Sequence, residues 1–148
     1  MTDSIFRLQP YAHQATAAAW CDRREFYALL MEQGTGKTAI VAADAGRRWS
    51  REEIDLLLVL APNGVNLNWV LRELPTHIPD AVSWRAAAWM SDSNKSEHRA
   101  LESMLTTEGE LRVVTANWES LTTPRALDFL IELKRTARRG VMLVGDES

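Results

Sequence analysis

The residues best suited to carry chemistry lie in a short glycine-rich stretch, Glu32-Gln33-Gly34-Thr35-Gly36-Lys37-Thr38. Glycine lacks a Cβ, so such a loop lets backbone N–H groups surround a phosphate chain, and a helix that begins after it adds a favourable dipole. Lys37 can reach the β- and γ-phosphates of ATP, and the Thr38 hydroxyl can ligate Mg²⁺. Met31 replaces the first glycine of the full phosphate-loop pattern. The stretch predicts a nucleotide and magnesium site, with a turn that merely caps a helix as the alternative.

Two acidic residues form the second candidate for chemistry. Asp146 and Glu147 follow the apolar run VMLVG. Carboxylates at the C-terminal tip of a parallel strand lie at the sheet edge where α/β proteins bind ligands. There Asp146 can hold Mg²⁺ through water, and Glu147 can orient or deprotonate an attacking water molecule. An ordinary solvated turn is the alternative, and the phosphate loop upstream favours the catalytic interpretation.

Apolar runs alternate with amphipathic stretches along the chain, which predicts an α/β fold with a mainly parallel sheet and helices on both faces. The predicted strands are Phe26–Met31, Leu56–Ala61, Val82–Trp89, Leu111–Thr115 and Val141–Val144. Helices are predicted from about Pro10, over Lys37–Trp49, over Val65–Leu74 with an end at Pro75, around Ala100–Leu105, and after Thr123-Pro124. The strand before the glycine-rich stretch and the helix after it give that stretch the context a phosphate loop needs.

Composition places the chain among ordinary globular proteins. It has 148 residues, 46% of them hydrophobic and 25% charged, which suits one domain with a sizeable core. Cys21 is the only cysteine, so no disulfide can form within the chain. No apolar run reaches the roughly 18–20 residues of a membrane span, and no signal peptide is visible, so we expect a soluble cytoplasmic protein. With a net charge of −3, nucleic acid would be held by local basic patches.

Five segments in order resemble the first RecA-like domain of superfamily 2 helicase-type ATPases, most closely the Swi/Snf-related DNA translocases. The segments are Leu8-Gln9-Pro10-Tyr11-Ala12-His13-Gln14, the phosphate loop, Leu60-Ala61-Pro62 with Asn68-Trp69 and Glu73, Thr115-Ala116-Asn117-Trp118-Glu119-Ser120-Leu121, and Asp146-Glu147-Ser148. They are similar to the adenine-reading glutamine segment, Walker A, motif Ia, motif Ib and the D-E-x-x box of that family. The resemblance covers nearly the whole chain.

The resemblance implies that residues 1–148 are part of a RecA-like ATP-binding domain, with the adenine-reading glutamine segment in residues 1–25. Gln14 would read adenine, since its amide can both donate and accept hydrogen bonds; an exposed polar residue on an amphipathic helix is the alternative. The loops that carry Pro62, Asn63, Thr115 and Asn117 would track a nucleic-acid backbone, and the likeness to DNA translocases implies that this is DNA; ordinary turn chemistry is the alternative for each residue. ATP hydrolysis would drive movement along that nucleic acid. We interpret Trp69 and Trp118 as core residues, with stacking on bases as the alternative.

Two parts of the family's ATPase are absent from these 148 residues. One is the second RecA-like domain with its arginine finger, and the other is the Ser/Thr-Ala-Thr motif with a strand that lies between the phosphate-loop strand and the D-E strand. If the chain is complete, we expect a gapped or rearranged sheet, a poorly placed Asp146, weak nucleotide binding and little or no turnover. The alternatives are a stand-alone binding module without turnover and a small P-loop kinase.

Overall fold

The computed structural model describes residues 5–147 as an alternation of helices and strands. The helices are α1 (Ala12–Cys21), α2 (Lys37–Ser50), α3 (Val65–Asn68), α4 (Leu74–His77), α5 (Lys95–Ser103) and α6 (Pro124–Arg135), with a π-helical turn at Trp69–Glu73 and a 3₁₀ turn at Trp118–Thr122. The strands are β1 (Leu56–Ala61), β2 (Trp84–Ala88), β3 (Leu111–Asn117) and β4 (Val141–Gly145). Ser148, the last residue matched to the D-E-x-x box, lies outside the described residues.

The four strands form one parallel sheet in the order β2-β3-β1-β4. In the register of the sheet, Leu56 of β1 lies between Arg112 of β3 and Val141 of β4. The run LLLVLA forms β1 because a parallel strand covered on both faces favours an unbroken apolar sequence over alternation. The predicted α/β class with a parallel sheet is confirmed.

Helices cover both faces of the sheet. On one face, the apolar stripe of α2 packs with alternate residues of β1 and β3; this cluster includes Val41, Ala42, Ala45, Leu57, Val59 and Val113. On the other face, residues of α5 and α6 pack against the opposite set of strand side chains; this cluster includes Leu101, Leu130, Leu133, Leu56 and Val114. No helix within residues 5–147 is both long enough and apolar enough to cross a membrane.

The strand predicted at Phe26–Met31 does not form, and this prediction was wrong. The segment does alternate, since Tyr27 and Leu29 are partly buried while Phe26 is 85% exposed and Leu30 is 95% exposed. A strand also needs the backbone of a neighbour, and within residues 5–147 β4 pairs with β1 and with no second strand. The sheet therefore lacks the strand that was expected before the phosphate loop.

The helix predicted to end at Pro75 instead continues to His77. Between α3 and α4 the backbone widens into the π-helical turn that begins at Trp69. A proline ring clashes with the carbonyl of the fourth preceding residue in a regular α-helix. The wider turn directly before Pro75 relieves that clash, so the helical path survives.

Candidate functional site

The glycine-rich stretch Glu32–Thr38, which was predicted to bind phosphate and is called the phosphate loop below, lies at the same edge of the sheet as the acidic pair Asp146-Glu147. The C-terminal half of α2 is at the opposite edge, because Gly46 lies against Pro79 and Val82, just before β2 begins. Five residues after α2 the chain enters β1, so α2 runs antiparallel to the strands. With 14 residues and a length of about 21 Å, α2 spans the sheet, and its first residue, Lys37, reaches the carboxyl edge. Asp146 follows β4 at that edge.

Two glycines give the phosphate loop its shape. Gly34 has φ +80° and Gly36 has φ +83°, both in the left-handed region that favours glycine. Thr35 closes the turn by donating its hydroxyl hydrogen to the Glu32 carbonyl oxygen at 2.7 Å. Lys37 Nζ donates to the Met31 carbonyl oxygen at 3.0 Å, so the ammonium group lies over the loop. The loop is therefore already folded around the start of α2.

Gln14 lies on the phosphate loop and is only 7% exposed. Its Nε2 donates to the Thr35 carbonyl oxygen at 3.2 Å, and its Oε1 accepts the Tyr11 backbone N–H at 2.9 Å. The ring nitrogen Nε2 of His13 also lies 3.0 Å from the Thr35 oxygen. The side chain of Gln14 occupies the space that a Cβ on Gly36 would need. The amide nitrogen of Gln14 carries a second proton and its oxygen has a second lone pair, so Gln14 can still form hydrogen bonds with the edge of an adenine.

A buried carboxylate at Asp44 ties the glutamine segment to α2. Asp44 is fully buried and accepts hydrogen bonds from the Tyr27 hydroxyl at 2.8 Å and from Arg48 Nε at 2.9 Å; Arg47 is its third partner. Arg47 in turn donates to the Ala18 carbonyl oxygen of α1 at 3.0 Å. Burial, and then the charge of Asp44, raise the pKa of the Tyr27 phenol far above its usual range. Sequence reasoning missed this cluster, although an acid inside the apolar run IVAADAG, followed by two arginines, was a signal for it.

Two indoles hold Asp146 in place, one through its carboxylate and one through its backbone. Trp69 Nε1 donates to Asp146 Oδ2 at 2.9 Å, and Trp118 Nε1 donates to the Asp146 carbonyl oxygen at 3.2 Å. The Trp118 ring also lies against Gly145, where a Cβ would meet it. Trp69 is 2% exposed, as a core residue should be, whereas Trp118 is 40% exposed and is not a core residue. Glu147 is exposed at the same edge.

The four residues expected to contact nucleic acid do not share one environment. Asn63 is exposed, and its Oδ1 accepts from Asn117 Nδ2 at 3.3 Å, so the loops after β1 and β3 meet. Pro62 is half-buried beside them. Thr115 is fully buried, and its hydroxyl donates to the Asn66 carbonyl oxygen at 2.8 Å. The side chain of Thr115 therefore supports these loops from inside the protein and does not face solvent.

The residues at the edge fit a magnesium nucleotide. Within residues 5–147, no group of three or more His, Cys, Asp or Glu side chains could hold a metal ion by itself. Mg²⁺ bound through one or two protein ligands plus substrate phosphates and water needs no such group. Thr38 at the start of α2 and Asp146 after β4 supply a hydroxyl and a carboxylate, which are oxygen ligands of the kind that Mg²⁺ prefers. A Cβ added to Gly34 would meet no atom within 4 Å, so the loop is open at that residue.

Comparison with known proteins identifies the family. No curated protein matches the chain significantly. A family model described as type III restriction enzyme, res subunit, matches residues 3–148. This is an N-terminal domain of the superfamily 2 helicase type, in agreement with the parallel sheet and the helices on its two faces. The chain therefore belongs to the family of the res subunit of type III restriction enzymes, as an ATP-binding, helicase-like N-terminal module.

Proposed function

We propose that the chain is the ATP-binding N-terminal part of a DNA translocase or helicase, in which ATP hydrolysis drives movement on DNA. The observation that supports this most strongly is the common edge shared by the phosphate loop and Asp146. The family match supports a helicase-like ATPase in general. The finer likeness to Swi/Snf-related translocases rests on the order of the five sequence segments.

Each residue at the edge has a defined task in this proposal. Backbone N–H groups from Gln33 to Gly36 surround the phosphates, and Lys37 neutralises the β- and γ-phosphates. Thr38 and Asp146 would hold Mg²⁺, and the bound ion would supply positive charge beside the phosphates. Glu147 orients the attacking water and accepts its proton. Gln14 reads the adenine edge from its position on the loop.

The nucleic-acid surface in this proposal consists of the loops after β1 and β3. Asn63, which is exposed, and Asn117, which is half-buried, join these loops through a side-chain hydrogen bond, and asparagine amides can contact phosphate oxygens. Pro62 shapes the first loop. Thr115 acts indirectly, because its buried hydroxyl anchors α3 beneath both loops.

Substitution of Lys37 by alanine tests the nucleotide site. We expect the 148-residue chain to bind the non-hydrolysable analogue AMP-PNP with Mg²⁺, and Lys37→Ala to weaken that binding at least tenfold, because the ammonium group lies over the loop that would hold the phosphates. Lys95→Ala is the matched control, since Lys95 is an exposed lysine that also begins a helix. Titration calorimetry measures both. Equal AMP-PNP affinities of the two variants would refute the assignment of the phosphate loop as the nucleotide-binding site.

ATP turnover distinguishes a translocase or helicase from a stand-alone binding module. An arginine finger contributes about 10³–10⁵ in rate in NTPases that use one, so we expect the chain to hydrolyse little or no ATP without a second RecA-like domain. With that domain joined to it, DNA should stimulate hydrolysis, and Lys37→Ala should abolish it. Nucleotide binding without turnover, even with the second domain present, would favour the stand-alone binding module.

A further inference from the structure

We propose that Trp69 is a positioning residue for the magnesium site, because its indole N–H sets the direction of the Asp146 carboxylate. The proposal rests on the proposed function, since it assigns a partner to the carboxylate that would hold Mg²⁺. The two residues are 77 positions apart in the sequence and meet through the Nε1···Oδ2 hydrogen bond of 2.9 Å. With Trp69 98% shielded from solvent, water competes little for this bond.

The main chain of Asp146 is held independently of Trp69. Its N–H donates to the Leu60 carbonyl oxygen at 2.7 Å, which continues the β1–β4 ladder, and its carbonyl oxygen accepts from Trp118 Nε1. The backbone of Asp146 therefore stays in place when the Trp69 bond is removed. What Trp69 adds is a constraint on the side-chain rotamer, and this rotamer decides where the carboxylate oxygens lie.

The helix that carries Trp69 is itself fixed to the sheet edge. Asn66, one turn earlier, is fully buried; its Nδ2 donates to the Trp89 carbonyl oxygen at 3.2 Å, and its own carbonyl oxygen accepts from Thr115 Oγ1 at 2.8 Å. Trp69 then opens the π-helical turn, a geometry that is rare and is frequently found at functional sites. The segment that carries the indole donor is thus hydrogen-bonded to Trp89, which follows β2, and to Thr115 of β3.

A carboxylate that binds a metal is commonly oriented by a hydrogen-bond donor behind it, and loss of such a donor typically costs about 10–100-fold in metal affinity or activity. We therefore expect Trp69→Phe, which keeps an apolar ring and removes the N–H, to reduce the Mg²⁺-dependent gain in AMP-PNP affinity at least tenfold. The gain is the ratio of affinities measured by calorimetry in excess MgCl₂ and in EDTA. Trp49→Phe, a half-buried indole at the opposite end of α2, is the matched control and should leave the ratio unchanged.

A double-mutant cycle with Asp146→Asn separates positioning from a general loss of structure. If Trp69 acts through the carboxylate, Trp69→Phe should have no further effect on the ratio once Asp146 is asparagine. An equal loss in both backgrounds would overturn the proposal, because it would show that Trp69 acts on the fold. An unchanged ratio in Trp69→Phe that still binds AMP-PNP would overturn it as well, and would leave the proposed function intact.

The unsubstituted chain provides a second measurement if Trp69→Phe does not fold. Addition of MgCl₂ and AMP-PNP to ¹⁵N-labelled protein should move the assigned Nε1–H resonance of Trp69 more than that of Trp49. Equal movement of the two resonances would overturn the proposal. If the unsubstituted chain binds no AMP-PNP at all, both the proposed function and this inference fail together, which distinguishes that result from failure of the inference by itself.

Discussion

Replacement of Asp44 by alanine should destabilise the fold by about 3–5 kcal/mol, which is the usual cost of removing one partner from a buried ion pair. The carboxylate is fully buried and accepts from Tyr27, Arg47 and Arg48. Alanine would remove the nearest carboxylate from two half-buried guanidinium groups, which would keep only longer carboxylate contacts, to Asp22 at 3.6 Å and Glu53 at 3.8 Å, and it would leave the phenol without its acceptor. Because native domains are stable by about 5–15 kcal/mol, this loss is a large share of the total.

The effect should extend from stability to the glutamine segment. Arg48 donates to the carbonyl oxygens of Cys21 at 3.2 Å and Arg24 at 2.8 Å, and Arg47 donates to that of Ala18, so Asp44 orients both arginines that hold the end of α1. For a chain of this size, about 3 °C is lost per kcal/mol, which predicts a fall in Tm of about 10–15 °C. Hydrogen exchange in α1 should accelerate more than in β1.

Thermal and urea unfolding followed by circular dichroism measure the stability change, and amide hydrogen exchange measures the local one. Asp128→Ala is the control, since Asp128 is an exposed acid on α6. A loss of less than about 1 kcal/mol for Asp44→Ala would refute the reasoning, because exposed ion pairs contribute about that much to stability and a buried carboxylate should contribute more. Unchanged exchange in α1 would refute the proposed link to the glutamine segment.

Two further predictions concern the phosphate loop and its surroundings. Gly34→Ala and Gly36→Ala both force alanine into the left-handed region, which costs roughly 1–2 kcal/mol, but only at Gly36 does the new Cβ displace Gln14. Gly36→Ala should therefore be the less stable variant in thermal unfolding and should weaken AMP-PNP binding more. Equal stability and equal affinity of the two variants would contradict this geometry. The raised pKa of Tyr27 means that the folded state keeps the phenol protonated where the unfolded chain, with a pKa near 10, ionises. The contribution of Tyr27 to stability is fully present below about pH 10 and is lost as the pH rises above that value. Above about pH 10 the free energy of unfolding should therefore fall more steeply in the unsubstituted chain than in Tyr27→Phe, while the control Tyr11→Phe, at an exposed tyrosine, should keep the steep fall. Identical slopes for Tyr27→Phe and the unsubstituted chain would contradict the buried network.

Much of the fold follows from local sequence patterns. The unbroken apolar run at Leu56–Ala61 predicted β1 with its observed bounds, because a strand covered on both faces needs no polar residue within it. Thr123 and Pro124 predicted the start of α6, since proline suits the first turn, where its missing N–H costs nothing. The glycine-rich loop before Lys37 predicted the start of α2 for a similarly local reason.

The failures arise where one segment depends on another. Phe26–Met31 has the alternation of a strand, but strand formation depends on a backbone partner that its own residues cannot provide. Because aromatic side chains are usually buried, the sequence predicts a core position for Trp118, and sequence spacing gives no sign of its hydrogen bond to Asp146.

The amino-acid sequence by itself determined the four strands of the sheet to within a few residues, the start of α2 and which acids follow the last strand, because periodicity, glycine and proline act over a few residues. Only the tertiary structure decided that Trp69 donates to Asp146, that Asp44 holds α1 against α2, and that Thr115 faces inward. Those contacts join residues far apart in the chain, and they depend on how the helices are laid across the sheet.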